Sequence, residues 1–176
     1  MGAWGITAHE SDTGLDTLAI IEEKCLKPIN FKHFDVKGIC DFLIDYFTKG
    51  FLKENEGYIK EGEDYQEYLD DYLSRRFPYA VILIAECLTE YSQNGVFLIE
   101  DYNAKIEMRI TEFIYTDSVL DELLEKLYEM IDPEHHMCKA WFEDADREAW
   151  KSHLKSLCDS IASLKGTSNK GGICHE

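Results

Sequence analysis

Apolar side chains recur at helical spacing in two long stretches of the chain, residues 36–51 and 120–131. Positions three and four apart lie on one face of a helix, so each stretch predicts an amphipathic helix with one buried face. Asp117 or Ser118 is the expected N-cap of the second helix. The predicted inward positions are Val36, Ile39, Cys40, Leu43, Ile44, Phe47 and Phe51, and then Leu120, Leu123, Leu124, Leu127, Tyr128 and Ile131.

Shorter patterns predict further helices at both ends and at the centre of the chain. Ser11 or Asp12 is expected to cap the first of them, and Leu15 would lie on its inner face. Pro78 is expected to open a separate helix, because proline suits the first helical turn. Residues 80–88 are apolar nearly all round, which is typical of a central buried helix. These helices are expected over about residues 12–27, 64–76, 78–94 and 144–164.

Between residues 96 and 111 the period changes from helical to alternating. Ile106, Met108 and Ile110 are separated by charged residues, and a short apolar run precedes them. This pattern predicts two strands that form a hairpin around Asn103-Ala104. The predicted fold class is therefore mostly α, a single-domain helical bundle with a small antiparallel β-hairpin.

Length and composition indicate one folded domain. A chain of 176 residues with 45% hydrophobic and 12% aromatic residues can bury a substantial core. We expect a single helical domain over residues 1–165 and a flexible tail over residues 166–176, where Gly, Ser and Lys are frequent. Trp4 is a large apolar side chain near the chain end, and we expect it to be buried against the bundle.

The net charge narrows the classes of partner. A formal charge of −17 repels the phosphate backbone of nucleic acids and disfavours anionic membrane surfaces. The same field attracts a basic protein and speeds its encounter. It also favours solubility, which is the simpler reason for an acidic composition.

The cysteine pattern indicates a reduced, cytoplasmic protein. No Cys-x-x-Cys pair is present, and residues 1–15 lack the basic and apolar regions of a signal peptide. The longest apolar run, residues 79–85, is too short to cross a bilayer. We therefore expect thiols without intramolecular disulfides, most of them in the core. The six cysteines are Cys25, Cys40, Cys87, Cys138, Cys158 and Cys174.

The chain opens Gly-Ala-Trp-Gly and continues with an acidic helix start that contains Leu-Asp. This opening resembles the bacterial family known as domain of unknown function 4259, whose members begin in the same way. His9 stands where the family commonly has Phe, and Ile6-Thr7 replaces a Gly-containing pair. The resemblance implies a bacterial, cytosolic origin and supplies no catalytic residues. The matching positions are Gly2, Ala3, Trp4, Gly5, Asp12, Leu15 and Asp16.

Two acidic segments are candidate partner-binding surfaces. The first combines carboxylates with tyrosines, which supply rigid aromatic anchors at protein interfaces. Such a surface suits a basic nucleic-acid enzyme, because carboxylates take the place of phosphates; a solvated helix face is the simpler interpretation. The favoured first surface comprises Tyr58, Asp64, Glu67, Asp71 and Tyr72. The second is the polar back of the helix at 117–131, with Asp121, Glu122, Glu125 and Glu129.

Catalytic or metal chemistry has few candidates. His135 and Cys138 are spaced to share a helical face, and imidazole with thiolate suits zinc, but no third and fourth ligand have the spacing of a metal site. Glu86 lies within the most apolar helix, and we favour a structural role, either as the solvent-facing point of that helix or as an ion-pair partner of Arg75 or Arg76. The alternative is a pKa-shifted functional acid. We therefore expect no catalytic residue, no cofactor and no tightly bound metal.

These observations favour a non-enzymatic intracellular binding protein. Its most concrete form is an immunity protein that neutralises a bacterial toxin, such as a nuclease, through an acidic surface. The alternative is a metal-assisted hydrolase that uses His135, His136 or Glu86. A phage-encoded or housekeeping interaction protein is a third possibility, and the oligomeric state stays open.

Overall fold

The computed structural model describes residues 6–54, 65–101, 106–141 and 143–166, and it confirms the mostly α fold with a small antiparallel hairpin. Within these residues, no helix is long and apolar enough to cross a membrane. The last helix has the bounds that the sequence predicts. The helices are α1 (Asp12–Ile21), α2 (Val36–Glu54), α3 (Tyr65–Asn94), α4 (Asp117–Ile131), α5 (His136–Lys139) and α6 (Asp144–Leu164).

Helix α3 is the centre of the bundle. Helices α1, α2, α4 and α6 all pack against it, and every residue from 80 to 88 is buried. Each fully buried Leu, Ile or Val side chain contributes about 1.5–3 kcal/mol through removal from water. Residues 80–88 are apolar on all sides of the helix because α1, α2, α4 and α6 surround α3.

The expected break at Pro78 is wrong, because α3 continues through this residue as one helix. A proline inside a helix lacks the N–H of one hydrogen bond and costs about 3 kcal/mol. Pro78 is itself buried, and it lies two residues before the buried stretch at 80–88. Burial of that stretch on several sides outweighs the local penalty, so the helix does not divide.

A turn of 3₁₀ helix, Ala8–Glu10, leads into α1. Ser11 caps α1 as expected, since its Oγ accepts a hydrogen bond from the N–H of Gly14 at 2.9 Å. A Cβ at Gly14 would lie 2.0 Å from the carbonyl oxygen of Ala8, so only glycine fits this close approach. The inward position predicted for Leu15 is wrong: its side chain is 48% exposed.

The connection from α1 to α2 is irregular. A π-helical turn, Glu22–Leu26, follows α1 directly, and a 3₁₀ turn, Lys27–Ile29, carries Pro28 in its first positions. The regular α-helix is therefore shorter than the predicted 12–27, and the helical run ends two residues after Pro28, at Asn30, where φ is 55°. Helix α2 then begins after Asp35, whose Oδ1 accepts a hydrogen bond from the N–H of Gly38 at 3.1 Å.

The predicted hairpin is confirmed in strands β2 (Phe97–Asp101) and β3 (Ile106–Ile110), which pair antiparallel with Phe97 opposite Ile110. The expected turn at Asn103-Ala104 lies outside the described residues. A second, unpredicted pair is parallel and joins β1 (Phe34–Asp35) to β4 (Phe113–Ile114).

Aromatic rings stabilise this strand region. The ring of Phe113 stacks on Phe34 with centroids 4.6 Å apart and on Tyr91 with centroids 4.5 Å apart. Phe97 meets Phe113 edge to face, with centroids 6.2 Å apart. Stacked and edge-to-face pairs add about 0.5–1.5 kcal/mol each beyond the area they bury.

Two predicted helix details are wrong in ways that affect the surface. The N-cap of α4 is Thr116, whose Oγ1 accepts from the N–H of Val119, and not Asp117 or Ser118. Tyr128 and Ile44 were expected to face inward, but they are 58% and 42% exposed. The inward positions of Tyr128 and Ile44 were predicted from helical spacing alone. Helical spacing shows which residues share a face of the helix, but it does not show how much of that face a neighbouring element covers.

Candidate functional site

A groove runs between α2 and α4, with α3 as its floor. Two adjoining cavities of about 200 and 360 Å³ form it, and both are lined by Ile44, Phe77 and Lys126. Phe77 on the floor is half-buried and Ile44 on the α2 wall is exposed, so the groove offers apolar surface to a ligand. The other apolar or small lining residues are Cys40, Leu73, Ser74, Pro78, Val81, Val119 and Leu123.

Acidic side chains dominate the rim of this groove. Of the residues that the structure describes, Lys37 and Lys126 are the only lysines or arginines that line it. Each is paired: Lys37 with Asp41 at 2.6 Å, and Lys126 with Glu129 at 2.9 Å. Glu122 forms no ion pair among the described residues. The rim therefore keeps a surplus of negative charge after its own pairs are counted. The acidic lining residues are Asp41, Asp70, Glu122, Glu125 and Glu129.

Two histidines occupy one end of the groove. His135 is the N-cap of α5, where its Nδ1 accepts from the N–H of Met137 at 3.3 Å. The rings of His135 and His136 lie 4.4 Å apart between centroids. Burial, and then the neighbouring His136, hold the pKa of His135 below its usual value. Both histidines thus contact the groove beside Glu129.

Cys40 on the groove wall is a thiol of low reactivity. Burial, and then the neighbouring Asp41, raise its pKa to about 12. A protonated thiol is a small apolar group and a poor nucleophile. Cys25 has its pKa raised by burial to about 11. The five cysteines within the described residues are free thiols.

The favoured first surface is only partly described, since Tyr58 and Asp64 lie outside the described residues. Glu67 and Asp71 are exposed on α3, and Asp71 forms an ion pair with Arg75. Tyr72 points toward α2 instead, where its ring lies 5.1 Å from that of Phe51. The structure therefore separates Tyr72 from the carboxylates predicted to act beside it.

The second predicted surface is brought together with α3. Glu122, Glu125 and Glu129 line the groove, opposite Asp70 of α3. Asp121 is turned toward α6, where its Oδ1 accepts from Lys165 Nζ at 2.6 Å. The sequence predicted that Glu122, Glu125 and Glu129 lie on the polar back of one helix. The structure shows that these three residues also border the apolar floor of the groove.

Glu86 has different partners from those expected. Its Oε1 accepts from the N–H of Ala8 at 2.9 Å and lies 2.8 Å from His153 Nε2. The pairing with Arg75 or Arg76 is therefore wrong. The carboxylate joins the N-terminal turn and α6 to the central helix, and an acceptor this buried is costly to remove. His153 stands 67 residues away in sequence, and no local signal indicates the contact.

The proposed catalytic set is not assembled in one place. Glu86 does not line the cavity that His135 and His136 share. Cys138 is fully buried, whereas His135 borders the groove. Among the described residues, no group of three or more His, Cys, Asp or Glu side chains has the arrangement of a metal site.

Comparison with known proteins gives no match to a family model, a curated protein or a solved structure. The likeness of residues 2–5 to a bacterial family therefore stays a resemblance, and these residues lie outside the described part of the chain.

Proposed function

We propose that this protein binds another protein, and that the groove between α2 and α4 holds a basic, amphipathic segment of that partner. The observation that carries the proposal is an apolar floor inside an acidic rim. Phe77 supplies the floor, Ile44 extends the apolar surface onto the α2 wall, and Glu122 and Glu125 supply charge on the rim. Grooves of this kind bind helices whose apolar side chains enter the groove while basic side chains contact its edges.

Long-range electrostatics support a basic partner. The whole chain has a formal charge of −17, so the field around it attracts positive proteins before contact. Steering of this kind raises the association rate most at low salt, because the screening length is about 8 Å at physiological ionic strength. Long-range attraction does not select one partner among basic proteins. The apolar and charged contacts in the groove would supply that specificity.

The most concrete form of the proposal is a cytoplasmic immunity protein that neutralises a bacterial toxin. A toxin that cleaves nucleic acid presents a basic surface, because it must bind phosphates. The carboxylates of Glu122, Glu125 and Glu129 would then occupy the place of the substrate phosphates.

The test uses a synthetic Leu/Lys peptide of about 18 residues, patterned as an amphipathic helix of roughly five turns. Titration calorimetry measures its affinity for the parent protein and for the double variant Glu122→Lys, Glu125→Lys. We expect the variant to bind at least about tenfold more weakly, a loss of roughly 1.4 kcal/mol. Both side chains are exposed, so the melting temperature should change little.

A matched variant separates the two predicted surfaces. Glu67→Lys with Asp71→Lys makes the same change in net charge on the other exposed surface of α3. We expect this variant to bind the peptide nearly as well as the parent protein. Equal weakening by both double variants would show attraction by net charge alone and contradict the groove. Weakening by the α3 variant only would move the site to the 58–72 surface.

A further inference from the structure

A second cavity lies on the other side of α2. It is an open cleft of about 860 Å³ between the π-helical turn after α1, the C-terminal half of α2 and the first half of α3. Its size is within the range of small-molecule sites. Its lining includes the aromatic residues Tyr46, Phe47 and Tyr72, the basic residues Lys24, Lys49, Lys53 and Arg76, and the acidic residues Asp16, Glu23 and Glu54.

The charge balance of this cleft is opposite to that of the chain. Four basic and three acidic residues line it, whereas the whole chain has 18 basic and 35 acidic residues. One of the three carboxylates is already neutralised, because Glu23 forms an ion pair at 3.0 Å with Lys27, which does not line the cleft. Lys49 is likewise paired, with Asp45 at 2.6 Å.

Three cations of the cleft are not neutralised in this way. Within the described part of the chain, Lys24, Lys53 and Arg76 have no carboxylate oxygen within 4.0 Å. Unpaired ammonium and guanidinium groups on one concave surface attract an anion, and a guanidinium fits a phosphate with two hydrogen bonds. Asp16 and Glu54 are the remaining carboxylates of the lining, so the cleft keeps a small surplus of positive charge in a protein that is otherwise strongly negative.

Aromatic side chains give the same cleft a flat apolar surface. Arg76 Cζ lies 4.8 Å from the centroid of the Tyr72 ring, so this cation is held over an aromatic face. Burial raises the pKa of Tyr72, which keeps its phenol neutral beside the cations. Tyr46 is 39% exposed, which leaves ring surface for contact with a ligand. A planar ring stacks favourably on such side chains.

We infer that this cleft binds a small ligand with a planar ring at one end and a phosphate at the other, the chemistry of a nucleoside monophosphate. Lys24, Lys53 and Arg76 bind the phosphate, and the ring contacts Tyr46 and Tyr72. The carboxylates of Asp16 and Glu54 accept hydrogen bonds from ring amino or sugar hydroxyl groups. These carboxylates also disfavour a longer polyanion, so a single phosphate suits the cleft best. The inference is independent of the proposed function, since it uses a different surface.

The first experiment titrates AMP into the full chain and follows backbone amide signals by NMR. We expect saturable shifts at millimolar concentrations or below, confined to residues that line the cleft. Adenosine and inorganic phosphate, each tested alone, should bind at least about tenfold more weakly than AMP, because each makes only part of the contacts. The absence of saturable shifts up to about 10 mM AMP would overturn the inference. Equal affinity for inorganic phosphate would overturn the assignment of a ring.

Matched variants test the location. Lys53→Gln with Arg76→Gln should reduce the affinity for AMP at least about tenfold, since it removes two phosphate-binding cations. Lys37→Gln with Lys126→Gln makes the same change in net charge in the groove and should leave AMP binding unchanged. Circular dichroism and melting temperature show whether each variant folds. An equal loss in both variants, or a loss in neither, would contradict a site in the cleft.

Discussion

Helix α2 has two faces of opposite character. Cys40 and Ile44, in its first half, border the acidic groove against α4. Tyr46, Lys49 and Lys53, in its second half, border the basic aromatic cleft against α1 and α3. At 3.6 residues per turn these two sets lie on nearly opposite sides of the helix, so one element forms a wall of two cavities.

The two cavities differ both in composition and in ion pairing. Two lysines and five carboxylates line the groove, whereas four basic and three acidic residues line the cleft. In the groove, both lysines are paired within the lining, and three carboxylates are left over. In the cleft, Glu23 and Lys49 are paired with residues outside it, and three cations and two carboxylates are left over. A net charge of −17 therefore does not fix the sign of each surface.

The largest expected effect comes from the groove floor. Phe77→Ala removes a half-buried ring that packs against the core, and we expect it to lower the free energy of unfolding by about 2 kcal/mol. It should also weaken the Leu/Lys peptide at least about tenfold while AMP binding stays unchanged. Denaturant unfolding and calorimetry measure these quantities.

Tyr46→Ala is the matched aromatic change on the opposite face of α2. Its ring is 39% exposed, so the free energy of unfolding should fall by less than about 1 kcal/mol. AMP binding should weaken and peptide binding should not. If both substitutions affected both ligands alike, the two faces would not be independent sites.

A smaller, stabilising effect is expected at Gly50 in the cleft wall. A glycine inside a helix costs about 0.5–1 kcal/mol relative to alanine. Within the part of the chain that the structure describes, a Cβ there would meet the Tyr72 hydroxyl alone, at 3.6 Å, which is an ordinary contact. Gly50→Ala should therefore raise the free energy of unfolding by about 0.5–1 kcal/mol, as measured by denaturant unfolding. A loss of stability would show that the cleft is narrower than the structure indicates.

The smallest effect is a pH dependence at the end of the groove. Because the pKa of His135 is lowered on folding, the unfolded chain binds the proton more readily, and stability falls as the pH drops below about 6.5. His135→Asn keeps an N-cap for α5 and removes this titration, so its melting temperature should fall less between about pH 7 and 5. His136→Asn removes only the second of the causes that lower the pKa of His135, after burial, so it should reduce the pH dependence less. An unchanged pH profile in His135→Asn would contradict the assignment.

Local patterns predicted much of the fold. The stretch at 80–88 is apolar on all sides, and the structure surrounds it with four helices. The stripe from Leu120 to Leu127 is buried as expected. These predictions were correct because each one used only residues three or four positions apart, and such residues lie on the same face of a helix.

Features that depend on distant residues were not predictable in the same way. The parallel pair of Phe34 with Phe113 spans two residues per strand, which is too short for an alternating pattern to show. The contact between Glu86 and His153 joins residues far apart in sequence. The groove is formed by three helices that are separate in sequence. The sequence therefore predicted an acidic face on α4, but it did not predict the apolar surface of α3 and α2 beside that face.

Pro78 has a consequence for recognition that side chains do not carry. In a regular helix the N–H of residue 78 would donate to the carbonyl oxygen of Ser74, and proline has no N–H to donate. Ser74 and Pro78 both line the acidic groove. The carbonyl oxygen of Ser74 therefore lacks its regular helical donor, at a residue that borders the groove, and this follows from the covalent structure of proline. Substitution of every acidic side chain on the rim would not restore that hydrogen bond.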